Sequence, residues 1–394
     1  MTPLLHLLIS ELGCPSIADD LSWIDSGGKN LLKIGFARSV TISCLVFLVF
    51  LAAKSIGQDN RKADTDTTSS YEAYIPDTVS PESQHVLRMM TGPQGLPLPG
   101  PDDIEGWKKI RTYVPPQLKV IEKDPEVSRR NSETMKRYPS TSKKWEIAGV
   151  PVVEIVSQNW KDNGKILVYV HGGGYVTGGP EFGLGGWVSG ETGLRIISVG
   201  YTLAPEAKWE QITDQVVSVL HALEREGYAP KNMAVLGDSA GGGLAAGSIL
   251  KMRDRGFGIP GVLVLWSPWA DITETGDSYF TLRRADPLLD YKALLKKAAD
   301  AYADPKDQKN PYVSPVYGDY SKGFPPTLIQ GGTKEIFLSD FVREYRAIDS
   351  AGGTAVLDIY EGMPHVFQGI VFGTPETEQS MVKMKKFLAL YLGK

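Results

Sequence analysis

"NMAVLGDSAGGG" (residues 232–243) carries an apolar run into a lone serine set among glycines. A short continuous apolar run reads as a strand buried on both faces. The residues after it, 241–255, carry helical spacing. A chain passing from strand to helix here must turn sharply at Ser239. Flanking glycines let neighbouring backbone pass close without a Cβ clash. The serine hydroxyl is then expected clear of the sheet, near a helix N-terminus that favours negative charge. Gly237-x-Ser239-x-Gly241 therefore reads as a nucleophile turn. The alternative is a glycine-rich turn that only brings a helix close to a strand.

Outward from this stretch the same alternation repeats. Apolar runs stand at "KILVYV" (165–170), "LRIISVG" (194–200), "GVLVLWS" (261–267), "PTLIQG" (326–331) and "TAVLDIY" (354–360). Helical patterns lie at 209–226, 241–255 and 338–351, and another closes the chain at 376–392. Such alternation predicts an α/β fold with a mostly parallel, doubly wound sheet. "WEIAGVPVVEIV" (145–156) predicts two further strands around a Gly-Val-Pro turn.

In these sheets ligands sit beyond the carboxyl ends of the strands. Four such ends carry chemistry: "HGGG" (171–174), "DSAGG" (238–242), "GTKE" (332–335) and "EGMPH" (361–365). The consecutive glycines of "HGGG" leave backbone N–H groups uncovered, able to face a developing oxyanion. A phosphate-binding loop is the other use of such glycines, but no Lys-Ser/Thr follows at the required spacing. His171 reads as structural, locked at a strand end. A serine hydroxyl needs a base to take its proton. His365, in a loop with proline and glycine neighbours after the last strand, is the base candidate. His85 and His221 lie in helical patterns and read as surface or packing residues. The acid that orients the imidazole has three candidates. Glu335 comes soon after a strand end, Asp340 falls inside a helical pattern, and Asp358 lies within a strand. The aromatics Tyr175, Trp209, Trp266, Trp269 and Phe367 sit near strand ends or loops, where they line a pocket or fill core.

Together these residues resemble the hormone-sensitive lipase family of α/β-hydrolases, whose bacterial esterases carry "HGGG" and "GDSAGG". "YTLAPE" (201–206), "NPYVSPVYGDYSKGFPPTLIQGGTKE" (310–335) and "EGMPHVF" (361–367) add to the likeness, which runs from about 143 to the C-terminus. The resemblance implies Ser239 as nucleophile, His365 as base and Glu335 as acid. It implies an oxyanion hole from the N–H groups of Gly173, Gly174 and Ala240. Asp238 and Glu206 resemble the family's structural carboxylates. The family acid is usually an aspartate followed by Pro-Leu; here Glu335 is followed by Ile-Phe. The family's cap, an N-terminal arm plus an insertion, matches 75–142 and about 270–322. The catalytic domain is then 143–394. A carboxylesterase for short to medium acyl esters is the expected function. The alternatives are a specialised exported deacylase and a non-catalytic small-molecule binder on the hydrolase fold.

Composition sets further bounds. The chain has 394 residues, 42 % of them apolar, enough for one large α/β domain with an accessory piece. The net charge of −4 gives no reason to expect a nucleic-acid partner. The histidines at 6, 85, 171, 221 and 365 do not pair at metal-ligand spacing, and Cys14 and Cys44 cannot build a zinc site. No metal or cofactor is expected. Residues 1–57 read as a leader: Lys33 and Arg38 precede an apolar stretch from Cys44 to Ala53, then Ser55 and Gly57 precede a cut before Gln58. Export to the periplasm or the medium is expected, with an uncleaved membrane anchor as the alternative. "LLKIGFARS" (31–39) alone makes an ordinary n-region, so the natural start is expected near it. Residues 58–74 read as a flexible linker. The partner is a small-molecule ester; a homodimer is left open.

Overall fold

The computed structural model describes residues 74–91, 100–111 and 114–393. The leader over 1–57, nearly all of the linker over 58–74 and residues 92–99 of the arm lie outside the described residues. Four short helices open the described chain: α1 (Pro81–Met90), α2 (Ile104–Ile110), α3 (Pro116–Lys123) and α4 (Pro125–Lys136). Prolines start three of them, at a position that needs no N–H. Side chains of Ser80, Asp103 and Asp124 cap free N–H groups at the starts of α1, α2 and α4.

An eight-stranded sheet follows. In chain order the elements are β1 (Ser140–Ile147), β2 (Val150–Ser157), β3 (Ile166–Val170), α5 (Gly185–Thr192), β4 (Arg195–Val199), α6 (Trp209–Arg225), β5 (Met233–Asp238), α7 (Ala240–Asp254) and β6 (Val262–Trp266). After these come α8 (Ser278–Thr281), α9 (Lys296–Tyr302), β7 (Thr327–Gly332), α10 (Leu338–Ser350), β8 (Ala355–Tyr360), α11 (Phe367–Ile370) and α12 (Pro375–Tyr391). The spatial order is β1-β2-β4-β3-β5-β6-β7-β8. β2 is antiparallel to β1 and β4, and every other pairing is parallel. β5 thus runs between β3 and β6 in the middle of the sheet.

Two local expectations change. The hairpin turn is Ala148–Gly149, both at positive φ, and Val150 and Pro151 already belong to β2. A two-residue hairpin needs left-handed backbone at both central positions, so the glycine belongs in the turn, and a proline is tolerated near a strand start. α5 has no helical pattern in "GGWVSGET". Its glycines disfavour a helix, but Trp187 and Val188 are fully buried and tertiary packing overrides propensity.

Strand alternation divides the core into two layers. Ile166, Val168, Val170, Met233, Val235, Leu263 and Leu265 face one side, with α6 and α7 over them. Leu167, Tyr169, Ala234, Leu236, Val262 and Val264 face the other, under Trp187 of α5 and Met381, Met384 and Phe387 of α12. Burying each large apolar side chain contributes about 1.5–3 kcal/mol, so central strands carry no polar face. The arm meets the 270–322 insertion: Gly100 N donates to Ala293 O at 3.0 Å, and Lys297 pairs with Asp102. Among the described residues no helix is long and apolar enough to cross a membrane.

Candidate active site

Ser239 stands between β5 and α7 with φ 52° and ψ −127°. An ordinary residue avoids this region at a cost of about 1–3 kcal/mol, so surrounding structure must hold it there. The end of β6 does so. Ser239 N donates to Trp266 O at 2.8 Å, and Ser239 O accepts from Trp269 N at 2.8 Å. Gly241 lets α7 start this close to the sheet: a Cβ there would lie 2.2 Å from Val170 O.

The loop after β8 brings His365 to the serine. Its Nε2 is 2.8 Å from Ser239 Oγ, and its Nδ1 is 2.8 Å from Glu335 Oε2. Nδ1–H donating to the carboxylate leaves Nε2 free to accept the serine proton. Glu335, fully buried after β7, also accepts from Ser267 Oγ at 2.8 Å and Gly332 N at 2.5 Å through Oε1. Phe337 packs nearly perpendicular to the imidazole, ring centres 5.2 Å apart. Ser239, His365 and Glu335 therefore form one unbroken hydrogen-bonded chain.

The glycine loop after β3 lies beside the serine: a Cβ on Gly172 would sit 3.0 Å from Ser239 Cβ. Gly173, at φ 100°, folds the loop back so that its carbonyl accepts from Val176 N and Thr177 N at 3.1 and 3.0 Å. The N–H groups of Gly173, Gly174 and Ala240 carry no hydrogen bond among the described residues. Asp238 braces the loop, accepting from Gly172 N at 3.0 Å and from the Tyr169 hydroxyl at 2.5 Å. Burial raises its pKa. His171 stacks on Tyr201 at 4.1 Å and bonds Gly172 O through Nδ1 at 2.8 Å. Burial pulls its pKa down to about 4, so it is neutral.

The other two acid candidates are placed elsewhere. Asp340 Oδ2 accepts from Asp271 N at 3.0 Å and from the Tyr279 hydroxyl at 3.1 Å. Asp358 Oδ2 accepts from Gln330 Nε2 at 2.9 Å and from the Tyr360 hydroxyl at 3.0 Å. Glu206 pairs with Arg111 of the arm. Tyr175, Trp266, Trp269 and Phe367 are fully buried packing residues, while Trp209 is half-buried.

Two residues were not picked out by the sequence reading. Ser267 Oγ donates to Glu335 and accepts from Val366 N at 2.9 Å, tying the acid to the histidine loop. Its signal was available, since it is the polar residue closing the β6 run. Asp286, buried in the insertion, accepts from Leu288 N, Leu289 N and Ile336 N at 2.9 Å each. Burial pushes its pKa up to about 6. Backbone strain gathers here too: of the five described non-glycine residues at positive φ, four are Tyr175, Ser239, Ser267 and Val366. Among the described residues no three His, Cys, Asp or Glu side chains are grouped to hold a metal ion.

A strand–serine–helix turn bonded through a histidine to a carboxylate, on a mixed sheet, defines an alpha/beta hydrolase. Residues 167–369 match the family model of the alpha/beta hydrolase fold, and the chain belongs to that family, among esterases related to the bacterial hormone-sensitive lipases. An acetyl-hydrolase of Streptomyces hygroscopicus is 29 % identical, over 71 % of this chain and 98 % of its own. An esterase of Acinetobacter venetianus is 31 % identical, over 61 % of this chain and 79 % of its own. A crystal structure of an esterase from the bacterial hormone-sensitive lipase family superposes with a TM-score of 0.63 at 28 % identity, covering 80 % of this chain and 99 % of that one. The protein is a carboxylic ester hydrolase acting on small esters.

Proposed function

We propose that hydrolysis proceeds through an acyl-enzyme on Ser239, with short to medium acyl esters as substrates. His365 Nε2 accepts the hydroxyl proton as Ser239 Oγ attacks the ester carbonyl. Glu335 keeps the ring in the needed tautomer and balances the imidazolium. The N–H groups of Gly173, Gly174 and Ala240 receive the developing oxyanion, where each donor is worth about 10²–10³ in rate. His365 returns the proton to the leaving alcohol. Water, deprotonated by the same imidazole, then releases the acid. The observation that carries this reading is the Ser239–His365–Glu335 hydrogen-bonded chain, with both links at 2.8 Å.

The acetyl-hydrolase relative favours the short end of the acyl range. A nitrophenyl ester series from acetate to decanoate, run on wild type and Ser239→Ala, tests the assignment. Turnover is expected to be fastest at short chains and to fall by on the order of 10⁵–10⁶ in the variant. A variant that kept a tenth of the activity, or a wild type that a fluorophosphonate left unlabelled at Ser239, would sink it in favour of a binder. The leader over 1–57 supports export of this enzyme. N-terminal sequencing of the natural product tests that, with Gln58 as the first residue expected.

A further inference from the structure

Tyr175 closes the glycine loop in a conformation that a bulky residue avoids, φ 67°. Its carbonyl accepts from Ala204 N at 2.9 Å. Its ring lies flat on that of Tyr302, with centres 3.7 Å apart and planes 3° from parallel. Both side chains are fully buried, and neither hydroxyl has a hydrogen-bond partner among the described residues. The contact is therefore made by ring faces. Tyr302 belongs to α9, in the insertion. One turn earlier on the same face stands Ala298, whose Cβ is 3.6 Å from where a Cβ on Gly174 would be. Residues at this spacing line up along one side of a helix. α9 thus sets one face of its helix against the segment holding Gly173 and Gly174. From the arm, Arg111 Nε donates to Val176 O at 3.3 Å, two residues past Gly174.

We infer that Tyr302 is a positioning residue for the reaction. Stacked on Tyr175, it holds the glycine loop so that its N–H groups meet the substrate oxyanion. The inference rests on the oxyanion role proposed for that loop. The insertion is then part of the catalytic geometry as well as a cover. Without the ring of Tyr302, Tyr175 can relax from its strained backbone and carry Gly173 and Gly174 with it. A misplacement of about 1 Å in such a site costs about 10²-fold in rate. Because the oxyanion exists only beyond the ground state, the loss falls on kcat and leaves KM in place.

The test compares wild type, Tyr302→Phe, Tyr302→Leu and Tyr302→Ala on nitrophenyl acetate, with inhibition by an alkyl trifluoromethyl ketone as second readout. The ketone adds Ser239 Oγ to its carbonyl and leaves a tetrahedral oxyanion in the loop. Tyr302→Phe keeps the ring face and is expected within about twofold of wild type. The Leu and Ala variants are expected to lose about 10–100-fold in kcat, with KM within about threefold and ketone affinity falling in parallel. Unchanged kcat in a folded Leu or Ala variant overturns the inference, as does a loss confined to KM. If both variants fail to fold, Ala298→Leu presses on Gly174 from the same face while keeping both tyrosines. It is expected to lower kcat and ketone affinity together, and unchanged kcat overturns the inference equally. Activity retained by Ser239→Ala would instead bring down the acyl-enzyme reading beneath it.

Discussion

The loop that carries Glu335 and the helix α10 that begins three residues later both bury carboxylates, with opposite surroundings. Glu335 offers both oxygens to donors: His365 on one side, Ser267 and Gly332 on the other. Asp340 and Glu344, one turn apart on α10, each leave one oxygen without a hydrogen-bond partner among the described residues. Burial raises Asp340 well above the usual carboxylate range and Glu344 to about 7. Equal burial therefore comes with unequal numbers of donors. Convergent donors equip a carboxylate to face an imidazolium. The carboxyls of α10, both raised by burial, hold the insertion through Asp271, Tyr279 and Tyr320.

The contrast can be broken or sharpened by substitution. Glu335→Gln keeps the shape but loses the charge facing His365. It is expected to lower kcat on a nitrophenyl ester by about 10³–10⁴, and a loss under tenfold would erase the distinction. On the helix side the effect is on stability. Glu344 binds its proton more tightly folded than unfolded, so its stabilisation is present below pH 4.5 and is lost as pH rises through about 7. The span amounts to roughly 3 kcal/mol at most. Glu344→Gln does not titrate, so urea unfolding at pH 5 and pH 8 should show a flatter dependence than wild type. Ser267→Ala removes a donor from Glu335 and an acceptor from Val366 N, and a loss of about tenfold in kcat is expected. The smallest effect belongs to Asp340→Asn. A neutral amide replaces a carboxyl whose pKa burial raises and which lies outside the Ser239–His365–Glu335 chain, so kcat should stay within about threefold and stability within roughly 1 kcal/mol at pH 7. A collapse in kcat there would move the acid role onto the helix.

How much of this the residues announce depends on the range of the force involved. Central strands were legible because a strand buried on both faces must be apolar throughout. The meeting of Ser239, Glu335 and His365 was legible because parallel strands deliver their ends to one edge. α5 was not, since nothing in its glycines favours a helix and only the burial of Trp187 and Val188 explains it. The hairpin turn ends two residues earlier than expected because glycine and proline both mark turns, while only left-handed backbone decides between them. Asp286 stayed hidden for a different reason. One of its three donors, Ile336 N, comes from a segment far away in sequence, and no local pattern carries such a bond. The tyrosine stack between residues 175 and 302 is hidden likewise, because two aromatics in separate segments look like any pair of core residues.

The place of β5 between β3 and β6 has a dimensional consequence. Neighbouring strands are spaced about 4.8 Å apart by their hydrogen bonds, so Ser239 stands one strand spacing from the glycine loop on one side and from Ser267 on the other. That row inherits its spacing from the sheet's own lattice, which lengthening a loop does not alter. Side chains at these three strand ends can then change without moving the ends apart.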